Sequence, residues 1–144
     1  MAKPAFDPIA HGVRSGLEEK VAQSLIQRGV VYEYEAIKIP YTIPASPHRY
    51  TPDFILSNGV VVETKGRFLS DDRYKHLLIR EQHPDIDIRF VFSSASTKIG
   101  TGAKTTVAQW CDKYGFKWAV KNIPQVWLDE PANAASQAKL QELR

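Results

Sequence analysis

Three residues within the stretch "TPDFILSNGVVVETKG", residues 51–66, do not suit the interior of a strand pair: Asp53, Glu63 and Lys65. Two carboxylates held close together repel, and a divalent cation removes that conflict. Hard oxygen donors on rigid strands suit Mg²⁺, which keeps waters in its remaining positions. A lysine beside them can balance charge, hold a phosphate oxygen or orient an attacking water. The combination suits metal-assisted hydrolysis of a phosphodiester. The same spacing, D-x9-E-x-K, also suits solvated charges that guard an edge hairpin.

Turn geometry decides which side chains meet. A two-residue Asn58-Gly59 turn pairs Ser57 with Val60 and puts Asp53 and Glu63 on different faces. A three-residue loop, Ser57-Asn58-Gly59, ends on a glycine able to adopt the left-handed conformation and pairs Leu56 with Val60. Asp53 then lies opposite Glu63, Lys65 shares their face, and Phe54, Val62 and Thr64 point the other way.

The surrounding elements follow from pattern. Ser15, with Glu18 three residues on, has capping-box spacing and opens a helix whose stripe is Leu17, Val21, Leu25 and Ile26. Residues 30–39, "VVYEYEAIKI", predict a strand. Pro40, Pro44, Pro47 and Pro52 then crowd one segment, which predicts a stiff, extended bridge that resists tight hairpin closure and leaves the strands on either side far apart. Strands are predicted near 50–56 and 60–65, then a helix over "SDDRYKHLLIREQHP", capped by Ser70 or Asp71 and stopped before Pro84. His76 and His83 are expected on that helix's surface. Arg67, Arg73, Lys75 and Arg80 fit either phosphate contacts or a solvated face. "IDIRFVFS" alternates as a strand, a short helix closes at Gly115, "FKWAV" is a last strand, and Trp127 packs after a turn. The Ala/Gln-rich tail from 132 predicts a frayed helix. The order, α-β-β-β-α-β with small additions, is that of a mixed α/β domain.

The 144 residues suit one domain, and a net charge of +3 with pI near 9.0 is compatible with a polyanionic partner. Cys111 is the single cysteine, so no internal disulfide forms, which fits a reducing cytosol, and it is expected as a small buried residue beside Trp110. The first residues lack a secretory h-region, and no apolar run has the roughly 20 residues of a membrane span.

"PDF" followed by "VETKG" resembles the PD-(D/E)xK nuclease motif. More narrowly, the chain resembles the endonuclease I family of short-tailed T-odd bacteriophages, resolvases of branched DNA. The shared stretches include "RSGLEEKV", "YEYE", "IPAS", "YTPDF", "NGVVVETKG", "SDDRYKHLLIREQHP", "DIRFVFSS" and "WCDKYG", in order from about residue 14 to 128. The resemblance implies a restriction-endonuclease-like core: a mixed central β-sheet flanked by helices. It implies that Asp53 and Glu63 bind metal, that Lys65 is the catalytic lysine, and that Glu18 joins the metal site. Glu18 as cap partner of Ser15 would compete with that role. The Thr64 carbonyl is a further ligand by analogy.

The resemblance further implies Mg²⁺, with Mn²⁺ as a substitute and two ions per site. It implies an intertwined homodimer acting on four-way (Holliday) junctions in the host cytoplasm. Residues 15–39 would cross to the partner, 40–52 would form the bridge, 15–130 the nuclease domain, 1–14 an arm and 131–144 a tail. Lys3, His11 and Arg14 would hold the branch point. A duplex or mismatch-nicking endonuclease of the same fold, or a non-catalytic DNA-binding module, would share most of these features.

Overall fold

The computed structural model describes residues 16–144. The arm at 1–14 with Lys3, His11 and Arg14, and the capping role of Ser15, lie outside the described residues. Helix α1 (Gly16–Gln27) buries Val21 and Leu25 of its predicted stripe together with Ala22, whereas Leu17 is half-buried and Ile26 faces outward. Strand β1 (Tyr32–Tyr34) is shorter than the predicted 30–39. At Glu35 the backbone turns left-handed, with φ 45°, and its N–H donates to the Asp53 carbonyl at 3.1 Å. That bend takes the chain out of the sheet.

The proline-rich segment corrects an expectation. It forms a tight hairpin of β2 (Ile39–Ile43) and β3 (Ser46–Tyr50), with Pro44 and Ala45 between the two strands. Proline suits the first central position of a common β-turn because its φ is already set. Pro40 and Pro47 are tolerated because each strand of a two-stranded ribbon has an open edge. The flanking strands are also neighbours rather than far apart. β1 pairs antiparallel with β4 (Phe54–Leu56), setting Tyr34 opposite Phe54.

β4 and β5 (Val60–Lys65) pair Phe54 with Val62 and Ile55 with Val61, the register of the three-residue loop. Gly59 takes φ 90°, as that loop requires. Helix α2 (Ser70–Gln82) follows, then β6 (Asp87–Phe92), α3 (Val107–Tyr114), β7 (Trp118–Val120), α4 (Gln125–Asp129) and α5 (Ala134–Glu142). The sheet order is β1-β4-β5-β6-β7. β4–β5 is antiparallel, whereas β5–β6 and β6–β7 are parallel, so the chain is an α/β protein with a mixed sheet. Among the described residues, no helix is long and apolar enough to cross a membrane.

Strand alternation divides the core. Ile55, Val61, Ile88, Phe90 and Phe92 face α2 and α3; Phe54, Leu56, Val60, Val62 and Val91 face α1 and α4. Cys111 is fully buried, as expected, and burial pushes its thiol pKa up to about 12. Gly115 closes α3 in the left-handed conformation, and a Thr106–Gln109 capping box opens it.

Expectations about individual side chains in and around α2 are corrected as well. The N-cap of α2 is Leu69, with no side-chain cap bond, so neither Ser70 nor Asp71 caps it. His76 and His83 are buried rather than on the helix surface. His76 lies three residues before the buried Ile79, on the helix's inner stripe, and its ring packs edge-on against Tyr50 and Phe90. His83 contacts the Pro40 carbonyl. Arg73 and Arg80 spend their guanidinium groups on main-chain carbonyls, Arg73 on Phe68 and Ile99, Arg80 on Tyr114.

The tail is not frayed either. α5 buries Ser136 and Leu140, and it holds the β4–β5 loop: the Ser136 hydroxyl donates to the Gly59 carbonyl at 2.6 Å and Gln137 Nε2 to the Ser57 carbonyl at 2.8 Å. Asn58 in turn donates to the Trp127 carbonyl at 2.8 Å. Buried Arg89 pairs with Asp87 and Glu130 and stacks on Trp127, so the segment between α4 and α5 is pinned to β6. A Cβ at position 59 would lie 2.9 Å from Gln137 Cγ and 3.0 Å from the Asn133 carbonyl. Gly59→Ala therefore combines an unfavourable φ with a clash, and its urea midpoint should fall by the equivalent of about 2–3 kcal/mol.

Candidate active site

β5 delivers Glu63 and Lys65 to the face covered by α2. Lys65 Nζ lies 3.5 Å from Glu63 Oε2 and 3.2 Å from Asp72 Oδ2, and Asp72 Oδ1 also meets Lys75 Nζ at 3.2 Å. Asp72, in the first turn of α2, thus pairs with both lysines. Glu63 Oε1 accepts the Tyr50 hydroxyl at 2.9 Å and the Asp53 N–H at 3.1 Å.

Asp53 departs from the single-face patch that the register predicts. The β4 ladder begins at Phe54, and Asp53 occupies a bend just before it, free of strand alternation. Its Oδ2 accepts both the N–H and the hydroxyl of Thr64, each at 2.9 Å, although Thr64 faces away from Glu63. From the α1 side comes Glu18, whose Oε2 accepts the Tyr34 hydroxyl at 2.5 Å. One oxygen each of Glu18, Glu35 and Asp53 lie within 4.8 Å of one another. Carboxylates from both faces of the sheet therefore meet at one corner, around Asp53. Within the one chain, Glu18, Asp53, Glu63, Thr64 and Lys65 all lie around this corner.

Glu35, Tyr34, Tyr50 and Asp72 were not foreseen. Only the left-handed turn at Glu35 directs that residue back to Asp53, and its single-letter context carries no signal of such a turn. The tyrosines read as ordinary strand aromatics until the fold shows where their hydroxyls end.

Asp53 and Glu63 are 9% and 5% exposed. Burial, then the neighbouring Glu63 charge, raises the Asp53 pKa to about 8 against the opposing Thr64 hydrogen bonds. Burial also raises Glu63, offset in part by Lys65 and by the Asp53 and Tyr50 donors. For Lys65, burial favours the neutral amine, but Glu63 and Asp72 outweigh it and raise the pKa. Burial, with Lys65 and Lys75 nearby, drives His76 well below its usual value, so its imidazole is neutral. The donor set, the carboxylates of Glu18, Glu35, Asp53 and Glu63 with no sulfur or imidazole among them, has the chemistry that suits a hard divalent cation such as Mg²⁺. Its excess negative charge in a poorly solvated corner is the condition such an ion would relieve.

The molecule is thus an α/β protein with a buried carboxylate–lysine corner at one end of a mixed sheet. The chain matches the family described as phage endonuclease I over residues 3–144. It is 58% identical over 118 residues to "Endonuclease I" of Escherichia phage T7, covering 82% of this chain and 79% of that protein. Against "Endodeoxyribonuclease 1" of Enterobacteria phage T3 it is 54% identical over 118 residues, covering 82% and 78%. The chain belongs to the phage endonuclease I family and is a phage DNA endonuclease.

Because its folded pKa is raised, the neutral form of Asp53 supports the metal-free fold, and that contribution is lost as pH rises through about 8. In EDTA, Asp53→Asn should stabilise the protein above pH 8 by on the order of 2 kcal/mol, with the difference vanishing toward pH 4. Denaturant melts across that range check it.

Proposed function

We propose that the protein is a metal-dependent, structure-selective endonuclease that resolves four-way junctions and other branched DNA, working in the host cytoplasm. The observation that carries this reading is the meeting of Glu18, Asp53 and Glu63 beside the Lys65 ammonium at one corner of the sheet. The arrangement supports assigning "PDF" and "VETKG" to a PD-(D/E)xK site in a restriction-endonuclease-like core. Asp53 and Glu63, with the Thr64 carbonyl, would hold one Mg²⁺, and Asp53 with Glu18 a second; Mn²⁺ would substitute. When bound, the ions would supply Lewis acidity and offset charge on the phosphate.

The chain's own residues supply the rest. Lys65, steadied by Asp72, presents an ammonium beside the carboxylates, where it can orient a water and balance the phosphate charge. Cleavage breaks the P–O3′ bond and leaves a 5′-phosphate and a 3′-hydroxyl. Lysine and arginine contacts to phosphates carry little sequence information, which suits recognition of branch shape.

We further propose that the active unit is a homodimer in which residues 15–39 cross to the partner, giving two sites and paired cuts. The β2–β3 register supports this: Ile39 pairs with Tyr50, Pro40 with Arg49, and so on inward to Ile43 with Ser46. The ladder is symmetric about the Pro44-Ala45 turn. If that turn opens, two continuous strands from two chains can form the same pairs across a two-fold axis. Glu18 would then come from one chain and Asp53, Glu63 and Lys65 from the other.

Lys65→Ala should cut a junction at least 100-fold more slowly while binding it normally; unchanged cleavage would sink the assignment. Equal cutting of a junction and of its linear arms would favour a duplex nuclease instead. Chains carrying Glu18→Ala and Asp53→Ala, refolded together, should recover nicking activity. In exchanged heterodimers both defects fall in one site and the other is intact. Heterodimers with no nicking would contradict the exchange.

A further inference from the structure

Three acidic side chains of the corner, Asp53, Glu18 and Glu63, each have one oxygen committed to a protein donor. Asp53 uses Oδ2 for Thr64, Glu18 uses Oε2 for the Tyr34 hydroxyl, and Glu63 uses Oε1 for the Tyr50 hydroxyl and the Asp53 N–H. Tyr50 is the most constrained of these donors. It ends β3, is 2% exposed, and packs its ring against His76 at 5.0 Å between centroids, with Lys75 Nζ 5.3 Å from the ring centre. Packing therefore fixes the ring, and the ring fixes the hydroxyl.

We propose that Tyr50 is a positioning residue of the nuclease site: its hydroxyl locks the Glu63 carboxylate so that Oε2 alone is presented to a divalent cation on the Lys65 side. The inference rests on the metal-dependent reading given above. With two donors on Oε1 and Lys65 Nζ 3.5 Å from Oε2, rotating the carboxylate breaks both Oε1 bonds. A bidentate grip on the ion would have the same cost. A phenol suits this task because it orients the carboxylate without cancelling its charge, as a guanidinium or ammonium would. Hydrogen-bonded partners behind a metal ligand commonly change affinity 10–100-fold when removed. Tyr34 stands in the same relation to Glu18 on the opposite face. In an exchanged dimer, each carboxylate would thus arrive with its own tyrosine, since Glu18 and Tyr34 precede the Pro44-Ala45 turn and Tyr50 and Glu63 follow it.

The test uses Tyr50→Phe, which keeps the ring and removes the hydroxyl, in the full chain. Mn²⁺ binding is followed by electron paramagnetic resonance without DNA, and cleavage is followed against Mg²⁺ concentration. Wild type should bind Mn²⁺ and Glu63→Gln should bind it far more weakly. Failure at that step refutes the metal-site reading itself, independently of Tyr50. Given that result, Y50F should bind Mn²⁺ about 10-fold more weakly. Its Mg²⁺ requirement for cleavage should rise by a similar factor, and its rate should recover at saturating Mg²⁺. Junction affinity in EDTA should stay within about twofold of wild type. In a Glu63→Gln background, the substitution should have no further effect on Mn²⁺. Unchanged Mn²⁺ affinity in Y50F, or equal effects in both backgrounds, would overturn the proposal. So would a Y50F chain that no longer melts cooperatively, because the hydroxyl would then serve folding.

Discussion

The central constraint on this molecule is the enclosure of like charges. Asp53 and Glu63 are nearly buried, adjacent, and both raised in pKa, which works against the compact state. The fold tolerates them because Asp53 takes its neutral form below about pH 8 and both carboxyl groups accept hydrogen bonds: from Thr64 at Asp53, and from Tyr50 and the Asp53 amide at Glu63. A core designed for stability alone would fill this corner with apolar groups. Functional sites commonly carry such a penalty, set against stabilising contacts elsewhere. Here those contacts include two aromatic and aliphatic cores and the Arg89 cluster on β6.

The change from antiparallel to parallel pairing along the sheet explains why the corner lies where it does. β4 begins where antiparallel β5 ends, so the residue before β4 and the last residues of β5 share one end of the sheet. The parallel partners β6 and β7 also direct their carboxyl ends there. α1 and α2 cover opposite faces, and each brings a charged residue to that end, Glu18 from one and Asp72 from the other. Asp53 can join the two sets because a bend frees it from the strand's alternation. A residue fixed in the ladder would face only one side.

Local rules were legible where the chemistry was local. The three-residue loop, one of the two closures open to Asn58-Gly59, sets the β4–β5 register through Phe54 and Val62, whereas Asp53 sits in a bend just outside that ladder. The apolar stripe of α1, the alternation of β6 and the Gly115 stop likewise follow from nearest neighbours. The readings that failed depend on distant partners. Proline density argues against a hairpin by local rules, yet a turn and two open edges are places where proline fits. His76 and His83 were assigned by polarity, whereas helix position decided their burial. Arg73 and Arg80 fit two readings, and two of their carbonyl acceptors, Ile99 and Tyr114 at the end of α3, lie far away in sequence. α5 looked weak because its own amphipathicity is slight; its order comes from hydrogen bonds to the β4–β5 loop. Within the site, residue types announced the carboxylates and lysine, while the tyrosine tethers and Glu35 became visible only with tertiary placement.

The mirrored pairing of β2 and β3 bears on how such a protein can evolve. A substitution at Thr42 meets Pro47 whether the hairpin closes on itself or two chains lie alongside each other, because the partner residue is the same. Selection on the ladder is therefore blind to which form is built. Were chains to exchange through this hairpin, as proposed above, the choice of form would rest on Pro44 and Ala45, where a replacement alters no cross-strand contact.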